Sequence, residues 1–313
     1  MTKDHDSIDK YDSRDFLSAR NLTPKHSSSS SQIGVDIAGA THCGRVRENN
    51  EDHYLAIKFQ RALETICTNL EPELLEPRFD ETAYGLLVAD GMGGLEAGEV
   101  ASRIALCKLV ELVVNTPDWI MKLNRGRDEN TVMERMTQRF HQVDYALREQ
   151  AQHDDSVAGM GTTLTVAVSL AATLLIGHIG DSRAYLMHNG MLQQVTKDHT
   201  LAQALVDAGI ANPDDDATKA LHHVLTAALG ATGEQTNPQV LRLHLTNNDQ
   251  VLLCTDGLTE MVSPQTISEV LSEASSAKAA CESLIDLALN NGGLDNVSVV
   301  LARYVFPQAE QQS

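Results

Sequence analysis

Paired cysteines are missing from this chain of 313 residues. The five it has (Cys43, Cys67, Cys107, Cys254 and Cys281) are odd in number, widely spaced and free of any CxxC pair. That usage gives no disulfide framework and fits a reducing cytoplasm. Positive charge is also scarce: 24 Lys and Arg against 43 Asp and Glu leave a net charge of −19. A field of that sign repels nucleic acid and anionic membranes, so neither is an expected partner. An acidic chain acts on phosphates only where bound cations reverse the sign locally. Long apolar runs are absent as well. Leu164 to Ile179 falls short of the roughly 18 residues a spanning helix needs. Gly177, His178 and Gly180 interrupt its end, and Val166, Val168, Leu174 and Ile176 alternate as in two strands around a turn. No membrane span is expected. Residues 1–33 lack the apolar core of a secretion signal, are polar and carry the run Ser27 to Ser31. They read as a disordered tail.

What is present predicts one main domain. The hydrophobic content is 42%, and no composition break marks a midpoint. Ordered structure is expected over 34–306, with 307–313 as a C-terminal tail. Val35 and Ile37, then Tyr54 to Phe59, read as strands on either side of the polar connection Gly44 to Asp52. Gln60 to Thr82, with Pro72 and Pro77, reads as a surface excursion before a strand Tyr84 to Ala89. A helix follows over Gly98 to Asn115, with an apolar stripe at Val100, Ile104, Cys107, Val110 and Val114. A second, Glu129 to Gln152, carries Val132, Met136, Phe140, Val143 and Leu147. Asn189-Gly190 between Ala184–Met187 and Met191–Val195 is a type I′ hairpin signal. The 198–236 stretch reads as an insertion with a short helix, Leu201 to Ala208. Strands Leu241–Leu245, Val251–Cys254 and Val297–Val305 and helices Pro264–Ala274 and Ala277–Asn290 complete the chain. Strands outnumber crossover helices, which argues for antiparallel sheets with segregated helices.

Acidic residues recur beside glycine or asparagine at the ends of apolar strands: Asp90-Gly91, Gly180-Asp181, Asp256-Gly257 and Asp295-Asn296, with Glu51-Asp52 in the early polar connection. Any one could be an ordinary turn. Together they are carboxylates that would be costly to cluster without a cation. Oxygen ligands with no Cys or His cluster favour Mg²⁺ or Mn²⁺ over zinc.

The ordered series Arg47-Glu48-Asn49-Asn50-Glu51-Asp52, Asp90-Gly91-Met92-Gly93-Gly94, Gly161-Thr162-Thr163, Gly180-Asp181-Ser182-Arg183, Thr255-Asp256-Gly257 and Asp295-Asn296 resembles the bacterial form of the metal-dependent (type 2C) serine/threonine protein phosphatases. It runs from about Gly34 to Val305. The resemblance implies an α+β fold, an α-β-β-α sandwich of two antiparallel sheets flanked by helices with a binuclear metal site at one end. It implies hydrolysis of phosphoserine and phosphothreonine by in-line attack of a metal-bridging hydroxide, opposing a Ser/Thr kinase. Two Mn²⁺ or Mg²⁺ ions are implied, with room for a third. Asp90 would bridge the two; Asp256 and Asp295 would complete the shell of the first ion; the Gly91 carbonyl and waters would serve the second ion. Glu51 and Asp52 would act in the outer shell, Asp181 with Asp256 at the third site, and Arg47 on the substrate phosphate. Residues 198–236 match the family's flap. A cytoplasmic monomer acting on phosphorylated proteins is the expectation. Met92 stands where animal members carry a histidine proposed as general acid, and it cannot donate a proton. A silent binding or sensor module and a small-phosphoester hydrolase are the other readings.

Several conspicuous residues take plainer readings. Neighbours on a helix face different ways, so His222-His223 is read as surface. Arg183 is read as a structural ion pair, Arg45 and Asp214–Asp216 as solvated, Cys254 as core, and Asp198 and His199 as a helix cap.

Overall fold

Alternation along strands decides the architecture. The computed structural model describes residues 32–71, 74, 78–93, 97–115, 129–231 and 237–307. Its strands are β1 (Gly34–His42), β2 (Asp52–Glu64), β3 (Arg78–Met92), β4 (Gly161–Thr162), β5 (Leu164–Leu170), β6 (Thr173–Ile179), β7 (Arg183–His188), β8 (Met191–Gln194), β9 (Gln239–His244), β10 (Gln250–Cys254) and β11 (Val297–Val305). Its helices are α1 (Ala97–Asn115), α2 (Glu129–His153), α3 (Leu201–Asp207), α4 (Asp216–Lys219), α5 (Asp256–Thr259), α6 (Pro264–Glu273) and α7 (Ala277–Asn290). One sheet has the order β1-β11-β10-β7-β8 and the other β2-β3-β5-β6-β9, with β4 beside β3. The pairings are antiparallel.

Successive side chains of a strand point to opposite faces. Leu87 and Ala89 of β3 therefore join a buried cluster with α1 and α2, while Leu86 and Val88 join another with Val251, Leu253 and Val300 of the facing sheet. On that sheet Leu252, Cys254, Val299 and Leu301 face α6 and α7. Three apolar layers thus separate four structural ones, which is the expected α-β-β-α sandwich. The parity has a consequence at one end. Asp90, Thr255 and Ser298 continue the rows that fill the inter-sheet core, so where the apolar residues run out these polar ones converge.

The structure moves several boundaries. Gln60–Glu64 and Arg78–Thr82, expected in a surface excursion, extend the β2–β3 hairpin. The ladder carries their backbone groups, and the Arg61–Glu81 ion pair at 2.6 Å supports it where apolar residues are few. Helix α1 buries Ala97, Gly98, Ala101, Ser102, Ala105, Leu106, Leu109 and Val113 rather than the expected stripe, and leaves Cys107 and Val114 exposed. Small residues let this helix sit close on the sheet. In α2 the five expected residues are buried. Asn189 and Gly190 take positive φ values of 50° and 77°, as the hairpin turn requires. Asp216 opens α4, and Thr200, not Asp198 or His199, caps α3 by accepting from Gln203 N. The expected tails, apart from residues 32, 33 and 307, lie outside the described residues, as do Gly94 and residues 232–236.

Candidate active site

Asp90 stands directly opposite Asp52 in the β2–β3 ladder, so the two carboxyls share a face. The Asp90 main chain is fixed from the far side: its N–H donates to Thr163 Oγ1 at 3.0 Å, and its carbonyl accepts from Thr163 N at 2.9 Å and Thr162 Oγ1 at 2.8 Å. The strand runs on through Met92, past the expected end at Ala89, and Gly93 after it takes a φ of +148°. Gly91 has a different reason to be glycine. A Cβ there would stand 2.0 Å from the Gly98 carbonyl oxygen, at the start of α1.

The other sheet supplies the facing groups. Thr255, between β10 and α5, donates through Oγ1 to Asp52 Oδ2 at 2.7 Å, while its Oγ1 accepts from Ser298 N. Asp256 follows in the first turn of α5, and its charge adds to the upward push on the Asp90 pKa. Asp295 accepts from Asn296 N at 2.8 Å and from Arg47 Nη2 at 2.6 Å. Asn296 is buried and holds the polar connection in place: its Oδ1 accepts from Glu51 N at 2.7 Å, and its Nδ2 donates to the carbonyls of Cys43 and Asn49. Glu51 presents its carbonyl to Ser102 Oγ at 2.6 Å and to Gly91 N, and its carboxylate lies against Gly98. Asp181 follows Gly180, whose φ is +109°. Next to it Arg183 makes a forked ion pair with Asp198. The buried His178 ring stacks on His199.

Electrostatics sets these carboxyls apart. Burial pushes Asp90 well above the ordinary carboxylate range, and Asp52, Asp256, Asp181 and Asp295 add to the effect. Asp52 is pushed up to about 7, chiefly by burial, and Asp181 to about 8 by burial and then Asp256 and Asp198. Asp256 is raised by burial and by Asp295, and Glu51 and Glu260 are raised chiefly by burial. The Arg47 guanidinium is held charged by its hydrogen bond to Asp295.

These features fit divalent cations. Asp52 Oδ1 and Asp256 Oδ1 are buried oxygens with no hydrogen-bond partner. Buried acceptors of that kind carry a desolvation cost that a bound ion would offset. Of the residues predicted from sequence, the structure gathers Asp52, Asp90, Asp181, Asp256 and Asp295 into one mutually repelling group and sets Arg47 and Glu51 at its edge. Thr255 and Asn296 had no signal beyond lying next to a motif carboxylate, and Thr163 none beyond its place in the Gly161-Thr162-Thr163 motif. His223 was read as surface, and it is exposed; Glu260 was missed. Among the described residues, the ligand atoms of His223, Asp256 and Glu260 form the group that falls within 4.8 Å of one another.

The family model "Protein phosphatase 2C" matches residues 75–288. The serine/threonine protein phosphatase PstP of Mycobacterium tuberculosis is 39% identical over 223 residues, which is 70% of this chain but 40% of that protein's length. Protein phosphatase PhpP of Streptococcus pneumoniae is 31% identical over 277 residues, 88% of this chain and 100% of the relative. A crystal structure of the PstP catalytic domain in complex with 2 manganese ions superposes with a TM-score of 0.67 at 32% identity, over 87% of this chain and 99% of that one. Among the described residues no helix is long and apolar enough to cross a membrane.

Proposed function

The chain belongs to the type 2C family of bacterial serine/threonine protein phosphatases, and from that premise we propose that it removes phosphate from phosphoserine and phosphothreonine in protein substrates. One observation carries the reading: buried carboxyls on both sheets meet at one end of the inter-sheet core, with raised pKa values and two oxygens left without partners. Such a group is poorly placed for structure and well placed for holding cations.

Asp90 would bridge two Mn²⁺ or Mg²⁺ ions, with Asp256 and Asp295 on the first and the Gly91 carbonyl on the second. Asp181 and Asp256 would hold a third, weaker ion, and Glu51 and Asp52 would act through intervening water. When bound, the cations supply an activated water and neutralise charge on the phosphoryl oxygens. The chain's own side chains do the rest. Thr163 fixes the Asp90 main chain, and Thr255 orients Asp52. Arg47 uses Nη2 on Asp295, and its five-donor fork leaves further N–H groups for a phosphoryl group. Met92 has no proton to give, so the leaving alcohol takes one from solvent or from another side chain.

In this reading residues 34–306 form the catalytic unit, 198–236 its flap, and the molecule works as a cytoplasmic monomer against a Ser/Thr kinase. The test is dephosphorylation of phosphoserine, phosphothreonine and phosphotyrosine peptides with Mn²⁺ or Mg²⁺. Wild type turns over the first two, EDTA abolishes turnover, and Asp90→Asn and Asp256→Asn lower kcat at least about 100-fold. Variants that match wild type would remove the reading. Turnover of small aryl phosphates alone would favour a small-phosphoester hydrolase.

A further inference from the structure

Gly180 is the first residue past the β6 ladder, and β7 does not begin until Arg183. The 180–182 turn thus lies outside both ladders, and at Gly180 it takes a φ of +109°, which other residues rarely adopt. Its backbone groups need partners from elsewhere. His199 supplies them. Its N–H donates to the Gly180 carbonyl at 2.7 Å, and Gly180 N donates to His199 Nδ1 at 3.1 Å, so both backbone groups of Gly180 end on one residue. Accepting through Nδ1 fixes the imidazole as the neutral Nε2–H form. Burial favours that form by lowering the pKa of the ring.

The ring is itself held. It stacks on His178 with centroids 5.0 Å apart, and His178 is buried, with Nε2 donating to the Lys197 carbonyl at 3.2 Å and Nδ1 2.8 Å from Thr165 Oγ1. The His199 carbonyl accepts from Thr226 N at 2.8 Å. Capping explains none of these contacts, because Thr200 caps α3. The turn that His199 grips carries two residues of the site. Asp181 is one of the gathered carboxyls. Ser182 Oγ is 2.8 Å from Thr163 Oγ1, the atom that accepts from Asp90 N at 3.0 Å. A Cβ on Gly180 would stand 2.5 Å from the Thr163 Cβ, so the turn also lies directly against Thr163.

We propose that His199 is a positioning residue: its Nδ1 and its N–H lock the 180–182 turn, which presents Asp181 and, through Ser182 and Thr163, braces the Asp90 main chain. The effect on turnover rests on the phosphatase reading; the lock itself does not. Three variants separate the lone pair from the ring. In His199→Asn the amide oxygen stands as many bonds from Cα as Nδ1 does, so it can accept from Gly180 N without the stack. His199→Phe keeps the stack and cannot accept. His199→Gln offers its amide at the Nε2 position instead.

Amide hydrogen exchange of the full chain in EDTA reads the lock without metal or substrate. Gly180 N–H should exchange about 10-fold faster or more in His199→Phe than in wild type, and His199→Asn should restore most of the protection. Nitrogen–proton NMR of wild type should show the Nε2–H tautomer at His199. With Mn²⁺, His199→Phe should weaken binding in calorimetry and lower kcat, each about 10-fold or more, with KM for a phosphopeptide little changed; His199→Asn should recover both in part. Equal Gly180 exchange in wild type and His199→Phe, an Nδ1–H tautomer, or faster exchange with Mn²⁺ affinity and kcat unchanged would each overturn the proposal. Should His199→Phe fail to fold, His199→Gln takes its place with the same expected losses. A wild type that shows the lock and its effect on Mn²⁺ binding but turns over no phosphopeptide would remove the phosphatase reading alone.

Discussion

Asp181 shows what a single buried carboxyl costs. Its pKa is pushed up to about 8 by burial, then by Asp256 and Asp198. Below about pH 4 the group is neutral in folded and unfolded chains alike, and contributes nothing. As pH rises the unfolded chain ionises first, so the metal-free folded state loses stability until the pH passes about 8. Water entry and relaxation reduce the full penalty to roughly 2 kcal/mol. Asp181→Asn should therefore raise the Tm of the metal-free protein by several degrees near pH 8.5 and change it little near pH 4. Variant and parent must be compared at each pH in EDTA, because His178 works in the opposite direction. Burial lowers its pKa to about 3, so the unfolded chain protonates first as pH falls below about 6.5, and stability drops on the acid side. An unchanged Tm near pH 8.5 would mean that Asp181 is better solvated than its surroundings indicate. At this scale the motif carboxylates were legible because each lies beside a glycine or asparagine at a strand end. Asn296 and Thr255 were not, since their partners Glu51 and Asp52 lie about two hundred or more positions away along the chain.

Elements place those residues, and two contacts expose how tightly. Asn296, just before β11, holds the 43–51 connection with three hydrogen bonds through its side chain. At about 1 kcal/mol net for each bond, Asn296→Ala should cost roughly 2–3 kcal/mol in urea denaturation. It should also raise KM for phosphopeptides, because Arg47 rides on the same connection; loss of stability with KM unchanged would separate Arg47 from substrate. Gly257 in α5 is tighter still: a Cβ there would lie 1.9 Å from the Asn296 carbonyl oxygen. That atom is backbone and cannot swing aside, so Gly257→Ala should shift Asp256 and lower divalent-metal affinity in calorimetry, whereas Gly190→Ala, with open space around it, should not. Element type was readable from alternation and turn chemistry, as in β7–β8 and α2. Two features were not. The polar, proline-bearing 60–82 segment hid the outer half of a hairpin held by its backbone ladder. In α1 the larger apolar residues drew attention from Ala97, Ala101 and Ala105, whose small size sets the helix close to the sheet.

The whole molecule carries one property that no single element shows, its net charge of −19. The order of motifs along the chain was enough to expect the four-layer sandwich, but not the balance between this global field and the local charge at the mouth of the site. There the exposed side chain of Arg47 stands beside Asp295, and Lys219 and Arg183 line the neighbouring cleft. Long-range repulsion should slow the approach of an anionic phosphopeptide, and salt should relieve it, since the Debye length falls to about 10 Å at about 0.1 M. Raising NaCl from about 20 to about 200 mM should therefore increase kcat/KM for a phosphopeptide flanked by glutamates by about 3-fold or more. For one flanked by arginines it should fall, with kcat little changed in both cases. Initial rates at fixed Mn²⁺ on the two peptides measure this directly. A fall for both peptides would mean that local cations at the cleft, not the acidic surface, govern encounter, and that Arg47 and Lys219 reach substrate before the rest of the molecule is felt.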